Sequence, residues 1–231
     1  MGGGARLSVV IPALDEASVL ERALASTRVD GVERVVVDGG SRDGTPERAA
    51  ALGAERVIAA DRGRARQLDA GWRVATAPIV LFLHADTRLE RGWDAALLAA
   101  LADPGVAGGA FRLAFEAPSA IYRALEAGVR ARCRFGGHPY GDQGIFARRA
   151  VLERAGGIAP TPIFEDLDLV RAIRSQGRLV LLPLRAWTSA RRYQRNGVLR
   201  TVLRNNAALL AYWARADRVA VAAWYRGLPR R

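Results

Sequence analysis

Apolar residues recur along this chain in two rhythms. Four short, nearly continuous runs, at residues 7–11, 34–37, 56–59 and 79–83, are rich in Val, Ile and Leu. Runs of that length and content predict strands buried on both faces. The stretches between them are spaced for helices. Residues 17–26 place Val19, Leu20, Ala23 and Leu24 on one side. A second helix opens at Thr45-Pro46, with Thr as N-cap and Pro at the first helical position. Residues 64–76 form a third. The order β-α-β-α-β-α-β predicts an α/β fold with a doubly wound, mostly parallel sheet and right-handed crossovers.

The second half is mixed. Helices are predicted over 93–102, 119–134, 150–155 and 165–176, the last closed by Gly177. An alternating segment at 108–115 reads as an antiparallel strand, and 144–147 and 179–182 as further strands. A turn-rich loop fills 136–142. A long amphipathic helix follows over 197–215, with Val198, Leu199, Val202, Leu203, Leu209 and Leu210 apolar. The expected division is one domain over 1–195 with a C-terminal helical extension over 196–231 packed on it.

Parallel sheets of this kind bind ligands beyond the carboxyl ends of their strands. Here those ends carry Asp15-Glu16, Asp38, Asp61-Arg62, and His84 with Asp86, which should face one crevice. Composition adds little to the fold and something to the chemistry. All 35 basic residues are Arg, and the formal charge is +12. Genome composition accounts for Arg abundance most simply. Its physical consequence is attraction of phosphates, anionic membranes or nucleic acid. Cys133 is the single cysteine, so an intrachain disulfide and a Cys-based zinc cage are excluded, and a small buried hydrophobe is its expected role. Residues 1–6 form a Gly-rich stub without an apolar signal core, and no apolar run suffices for a transmembrane helix. A soluble, cytoplasmic protein is expected, with contact at the inner face of the membrane as an addition.

Four segments narrow this picture: Ser8-Val-Val-Ile-Pro-Ala-Leu-Asp-Glu16, Val36-Val-Asp-Gly-Gly-Ser-Arg-Asp-Gly-Thr45, His84-Ala-Asp86 and Phe164-Glu-Asp-Leu-Asp168. In order and spacing they resemble the family 2 glycosyltransferases, which have the GT-A fold. Gly63-Arg-Ala-Arg-Gln-Leu-Asp-Ala-Gly71, Gly141-Asp-Gln-Gly-Ile-Phe146 and Ser189-Ala-Arg-Arg-Tyr193 are similar to a bacterial subgroup named for proposed arsenosugar biosynthesis. The resemblance implies a Rossmann-like central sheet flanked by helices, a small antiparallel acceptor-side element, and inverting transfer of a sugar from a nucleotide diphosphate donor, UDP first, to a hydroxyl. It assigns Asp38 to the base, with Pro12 and Glu16 shaping the loop over the nucleoside. Gly39 stands where the family often has a second acid. Arg64, Arg191 and Arg192 would meet the diphosphate. Arg64 and Arg66, two apart, do not share a helix face.

His84-Ala85-Asp86 takes the place of the Asp-x-Asp metal motif. Asp86 is the expected ligand of Mn²⁺ or Mg²⁺, which favour oxygen donors and keep waters. His84 would favour Mn²⁺ if it coordinated, and would otherwise contact the sugar. An in-line displacement needs a carboxylate base opposite the diphosphate. The resemblance gives that role to Asp166 with Glu165 in support, and Asp142 and Gln143 to the acceptor side. Asp168 is expected to serve the helix dipole.

Two rivals follow from the same residues. A nucleotidyltransferase would need a basic Gly-rich loop after the first strand, where Asp15 and Glu16 stand instead. A nucleic-acid-binding protein would explain the charge, but the Arg residues recur along the chain and no nucleic-acid-binding motif is seen. Segment 196–231 mixes Tyr212, Trp213, Trp224 and Tyr225 with seven Arg. Core cover or a homodimer face is its expected role, and peripheral contact with a membrane, near a lipid-linked acceptor, the alternative.

Overall fold

A computed structural model describes residues 4–135 and 138–227 of the chain. Residues 1–3 of the expected stub, Gly136 and Gly137 of the expected turn-rich loop, and residues 228–231 of the C-terminal segment lie outside the described residues.

The first half alternates as its pattern predicts. β1 (Leu7–Ala13), α1 (Leu20–Ser26), β2 (Val32–Asp38), α2 (Thr45–Ala51), β3 (Arg56–Ala59), α3 (Arg64–Val74) and β4 (Ile79–Phe82) follow in turn. The four strands are parallel, in the order β3-β2-β1-β4. Every residue of β1, β2 and β4 is buried. β2 begins before its apolar run because its charges are paired. Glu33 accepts from Ser8 Oγ at 2.6 Å, Thr76 N at 2.8 Å and Arg56 Nε at 2.9 Å. Arg34 Nε donates to Glu55 at 2.9 Å. A buried charge is tolerated when it is satisfied in this way. Two details differ from expectation. Gly44, in a left-handed conformation, is the N-cap of α2, and Thr45 is its first helical residue. α1 starts only at Leu20, after a turn.

The second half contains β5 (Thr87–Leu89), α4 (Trp93–Ala100), β6 (Val106–Phe115), α5 (Ala120–Arg134), a short 3-10 turn (Gly141–Gln143), β7 (Ile145–Arg148), α6 (Arg149–Arg154), α7 (Glu165–Arg174), β8 (Arg178–Thr188), α8 (Arg191–Asn196), α9 (Val198–Trp213) and α10 (Arg218–Arg226). β5 and α8 have no counterpart among the expected elements, and α10 lies within the helical extension expected over 196–231. Ser175, not Gly177, is the C-cap of α7. β8 runs well past the expected 179–182. It crosses Pro183 through a register shift between Ala110 and Arg112 of β6, where a residue lacking N–H breaks no regular ladder.

The full order is β3-β2-β1-β4-β7-β6-β8-β5. β7 is antiparallel to both β4 and β6, and β6 is antiparallel to β7 but parallel to β8. Inserting β7 with reversed polarity sets Ile145 beside Phe82. The turn before β7 therefore arrives at the carboxyl end of β4. On one side of the sheet α1, α2 and α4 pack through Leu20, Leu24, Ala49, Trp93 and Leu97. On the other, α3, α6 and α7 pack through Leu68, Trp72, Leu152, Val170 and Ile173. α9 and α10 seat on α7 through Phe164, Leu167, Ala208, Tyr212 and Val221.

Candidate active site

The loops after β1 and β2 are tied to each other. Asp15, left-handed at φ 54°, donates its N–H to Ser41 Oγ at 2.9 Å and accepts from Arg42 N at 2.8 Å. Glu16 N donates to Thr45 Oγ1 at 2.9 Å. Asp38, the last residue of β2, is buried. Its Oδ2 accepts from Gly40 N at 2.9 Å and Ser41 N at 3.0 Å, whereas its buried Oδ1 has no partner. Buried polar atoms are nearly always satisfied, so this lone acceptor marks a place for a donor group. A Cβ on Gly39 would lie 3.0 Å from Gln67, whose amide donates to Ala13 O and Val37 O at 2.8 Å each. Gln67 thus fills the room that a second acid would need.

Acidic side chains converge beyond β4. Arg191 of α8 donates to both oxygens of Glu16, at 2.6 and 2.7 Å, and lies 3.2 Å from Asp86 Oδ2. Arg64, at the start of α3, reaches Glu165 Oε1 at 3.3 Å. Burial disfavours the charged form of Arg64, but Glu165, Asp166 and Asp86 outweigh it and raise its pKa. About half of its side chain stays open to solvent, so it remains a reachable cation. Glu165 is buried, and desolvation raises its pKa despite Arg64; Asp166 raises it further.

Asp166 Oδ2 accepts from Gly141 N at 2.9 Å. Gly141 is where the turn before β7 meets β4, and a Cβ there would lie 2.7 Å from His84 Nε2. Only glycine allows that approach. Burial, together with the nearby guanidinia of Arg64 and Arg191, drives His84 well below 6.5, so its ring is neutral at pH 7. Asp142 is pushed up to about 6, first by burial and then by Asp166. Its buried Oδ1 has no partner. The guanidinium of Arg132 stacks on Tyr140 beside it, 3.6 Å from the ring centroid. Tyr193 of α8 is pushed up to about 12 by burial and by Asp142.

Glu16, Arg64, His84, Asp86, Asp142, Glu165, Asp166 and Arg191 therefore gather at the carboxyl edge of the sheet, where Asp38 ends β2. Three expected residues, Pro12, Gln143 and Arg192, stand elsewhere. Pro12 is buried within β1, in register with Val37, and does not line the loop. Gln143 is fully buried, donating to Phe111 O at 2.9 Å and accepting from Tyr140 N at 3.2 Å, so it locks the turn and leaves nothing for a ligand. Arg192 stacks on Tyr225 at 4.7 Å, away from the acids. Asp168 accepts from Tyr212 Oη at 2.9 Å and pairs with Arg218, so it anchors α9 and α10 as well as occupying the first turn of α7. Arg66 faces away from Arg64, 3.8 Å from Asp61. Cys133 is only half-buried, beside Gln143. Arg132 and Gln67 were not anticipated, because an Arg and a Gln on helices carry no pattern of their own.

A divalent cation would find few protein ligands here. Among the described residues no three His, Cys, Asp or Glu side chains are placed to hold one. Asp86, with Arg191 against its carboxylate, fits a cation that takes one carboxylate and completes its shell with phosphate oxygens and water.

A family model described as Glycosyl transferase family 2 matches residues 8–155. The chain belongs to that family. Within it, an uncharacterized glycosyltransferase of Mycobacterium tuberculosis is 36% identical over 102 residues, which cover 44% of this chain and 46% of that protein. The chain thus spans about half the length of that curated relative. Two solved structures share the fold. A mannosyltransferase from Pyrobaculum calidifontis, in complex with GDP-Man and Mn²⁺, is 24% identical with a TM-score of 0.61, covering 80% of this chain and 57% of its own. Glucosyl-3-phosphoglycerate synthase from Mycobacterium tuberculosis, in complex with Mn²⁺ and UDP-Glc, is 21% identical with a TM-score of 0.63, covering 98% of this chain and 81% of its own. The mixed sheet of this family 2 member is therefore the expected GT-A arrangement. The family match ends ahead of Glu165 and Asp166, so the acids of α7 reach the site through the fold.

Proposed function

We propose that this chain is an inverting glycosyltransferase that uses a divalent cation and moves a sugar from a nucleoside diphosphate, UDP first, to an acceptor hydroxyl. The observation that carries the reading is the convergence of acids on two cations, Glu165 on Arg64 at 3.3 Å and Asp86 on Arg191 at 3.2 Å, at the sheet edge where Asp38 keeps an unused buried oxygen. Two fold relatives, bound to GDP-Man and to UDP-Glc with Mn²⁺, support a nucleotide-sugar donor and a metal. The motifs at 63–71, 141–146 and 189–193 support the narrower bacterial subgroup.

Asp38 Oδ1 accepts the imide N–H of the base. Arg64 and Arg191 hold the diphosphate. Asp86 would hold Mn²⁺ or Mg²⁺ beside His84, and the bound cation would supply Lewis-acid neutralisation of the departing diphosphate. Asp166 takes the proton of the acceptor hydroxyl as its oxygen bonds to the anomeric carbon and the bond from that carbon to the diphosphate breaks. Asp142 lies on the acceptor side, next to Asp166. Holding the two reactants in line provides much of the remaining rate.

Asp166→Asn tests the assignment. Transfer should fall by about 10²-fold or more, while calorimetric affinity for the nucleotide sugar with Mn²⁺ survives. Turnover near the wild-type rate would remove Asp166 as the base. A thermal-shift screen of nucleotide sugars with each metal identifies the donor, because a bound ligand raises apparent stability.

A further inference from the structure

The charge is not spread as evenly as the recurrence of Arg suggests. Residues 169–231 contain 14 Arg and one acid, Asp217, whereas residues 1–168 contain 21 Arg and 22 acids. The last part of the chain therefore carries +13 and the rest −1. α8, α9 and α10 lie in this basic part. α9 is apolar on the side that faces the fold, through Ala208 and Tyr212. It is apolar again on the side that faces solvent. Leu199, Leu203 and Leu210 are 72%, 59% and 70% exposed. Spacings of four and seven residues put them on one helical stripe. Trp213 continues the exposed surface at the end of α9, and Val219 and Trp224 add to it from α10. Arg200 adjoins Leu199 on α9, exposed Arg195 lies in the last turn of α8 just before it, and Arg204 stacks on Trp224 at 5.6 Å.

We propose that this surface docks on an anionic phospholipid bilayer. Leu199, Leu203 and Leu210 enter the headgroup boundary, and the surrounding Arg residues meet lipid phosphates. Charge and apolar stripe together select this occupant. A second copy of the chain would bring +13 against +13. A nucleic acid would accept the charge but leave the leucines in water. An anionic membrane surface uses both, as an interfacial helix with a basic margin does. α9 lies in the membrane plane, since no helix among the described residues is long and apolar enough to cross. The surface adjoins the site. Trp213 packs on His138, and Tyr212 packs on Phe164, the residue before Glu165.

Flotation of the full chain with vesicles tests the proposal independently of any transferase activity. The protein should float with vesicles of equal phosphatidylglycerol and phosphatidylcholine and not with phosphatidylcholine alone. Raising the salt to about 1 M should weaken binding, because exposed charges are then screened within a few ångström. Leu203→Glu with Leu210→Glu should weaken it at least about tenfold, with the melting temperature unchanged because both side chains are exposed. Arg195→Gln with Arg200→Gln, which leaves the stripe intact, should lower only the anionic-lipid component. Absence of flotation, equal binding to both vesicle types, or wild-type binding by the leucine variant overturns the proposal. So does a dimer in sedimentation equilibrium that the leucine variant dissociates, since the stripe would then belong to a second copy.

Discussion

At Asp38 one carboxylate oxygen closes a turn and the other is left over. Asp38→Asn keeps an acceptor for the turn but presents an NH₂ group where, on the proposed assignment, the base donates. Nucleotide affinity should drop by about 1–3 kcal/mol, roughly five- to 150-fold, read by calorimetry with the melting temperature nearly constant. Asp142 makes a different kind of prediction. Its carboxyl is raised in the fold from 3.8 to about 6, so the folded state holds a proton that the unfolded chain has released. Stability from this group is therefore present below pH 3.8 and lost as pH rises to 6. The cost above that window is at most about 3 kcal/mol. Asp142→Asn should raise the urea midpoint relative to wild type more at pH 8 than at pH 4. An equal difference at both would show that the charge is not buried. Asp38 and Asp86 were legible in the sequence because they end or follow buried strands, whereas Glu165 and Asp166, which open a helix, were legible only through the family motif they resemble. The part played by Gln67 was not, since only the tertiary approach of α3 to Gly39 reveals it.

Elements buried on both faces declare themselves, because continuous apolar runs have few other uses. β1, β2, β3 and β4 were therefore legible. β5 has three residues and exists by pairing with β8, which no local pattern encodes. β8 continues through Pro183, a residue that usually ends a strand, and only its pairing with β6 shows the register shift that accommodates it. α10 did leave a signal. Asp217 caps it, accepting from Val219 N at 3.0 Å and Ala220 N at 3.4 Å. Asp168 fastens this region to α7 through Tyr212 and Arg218. Asp168→Ala should cost about 1–2 kcal/mol, because the ion pair is partly exposed and the hydrogen bond to Tyr212 is not replaced. Limited proteolysis between α9 and α10 should accelerate in step. An unchanged cleavage rate would mean that packing alone holds these helices.

For the whole molecule, the sheet edge gathers acids from β1, β2, β4 and α7, while the basic helices lie against α7. This separation was invisible in the net charge, which sums the two. Phe164 joins the two regions. It is left-handed at φ 72°, a conformation costing a non-glycine residue about 1–3 kcal/mol, and its buried ring is held against Tyr212, with centroids 5.0 Å apart. Its ring ties the start of α7 to the seat of α9. A helix that carries none of the site's acids thus takes part in fixing where Glu165 and Asp166 begin.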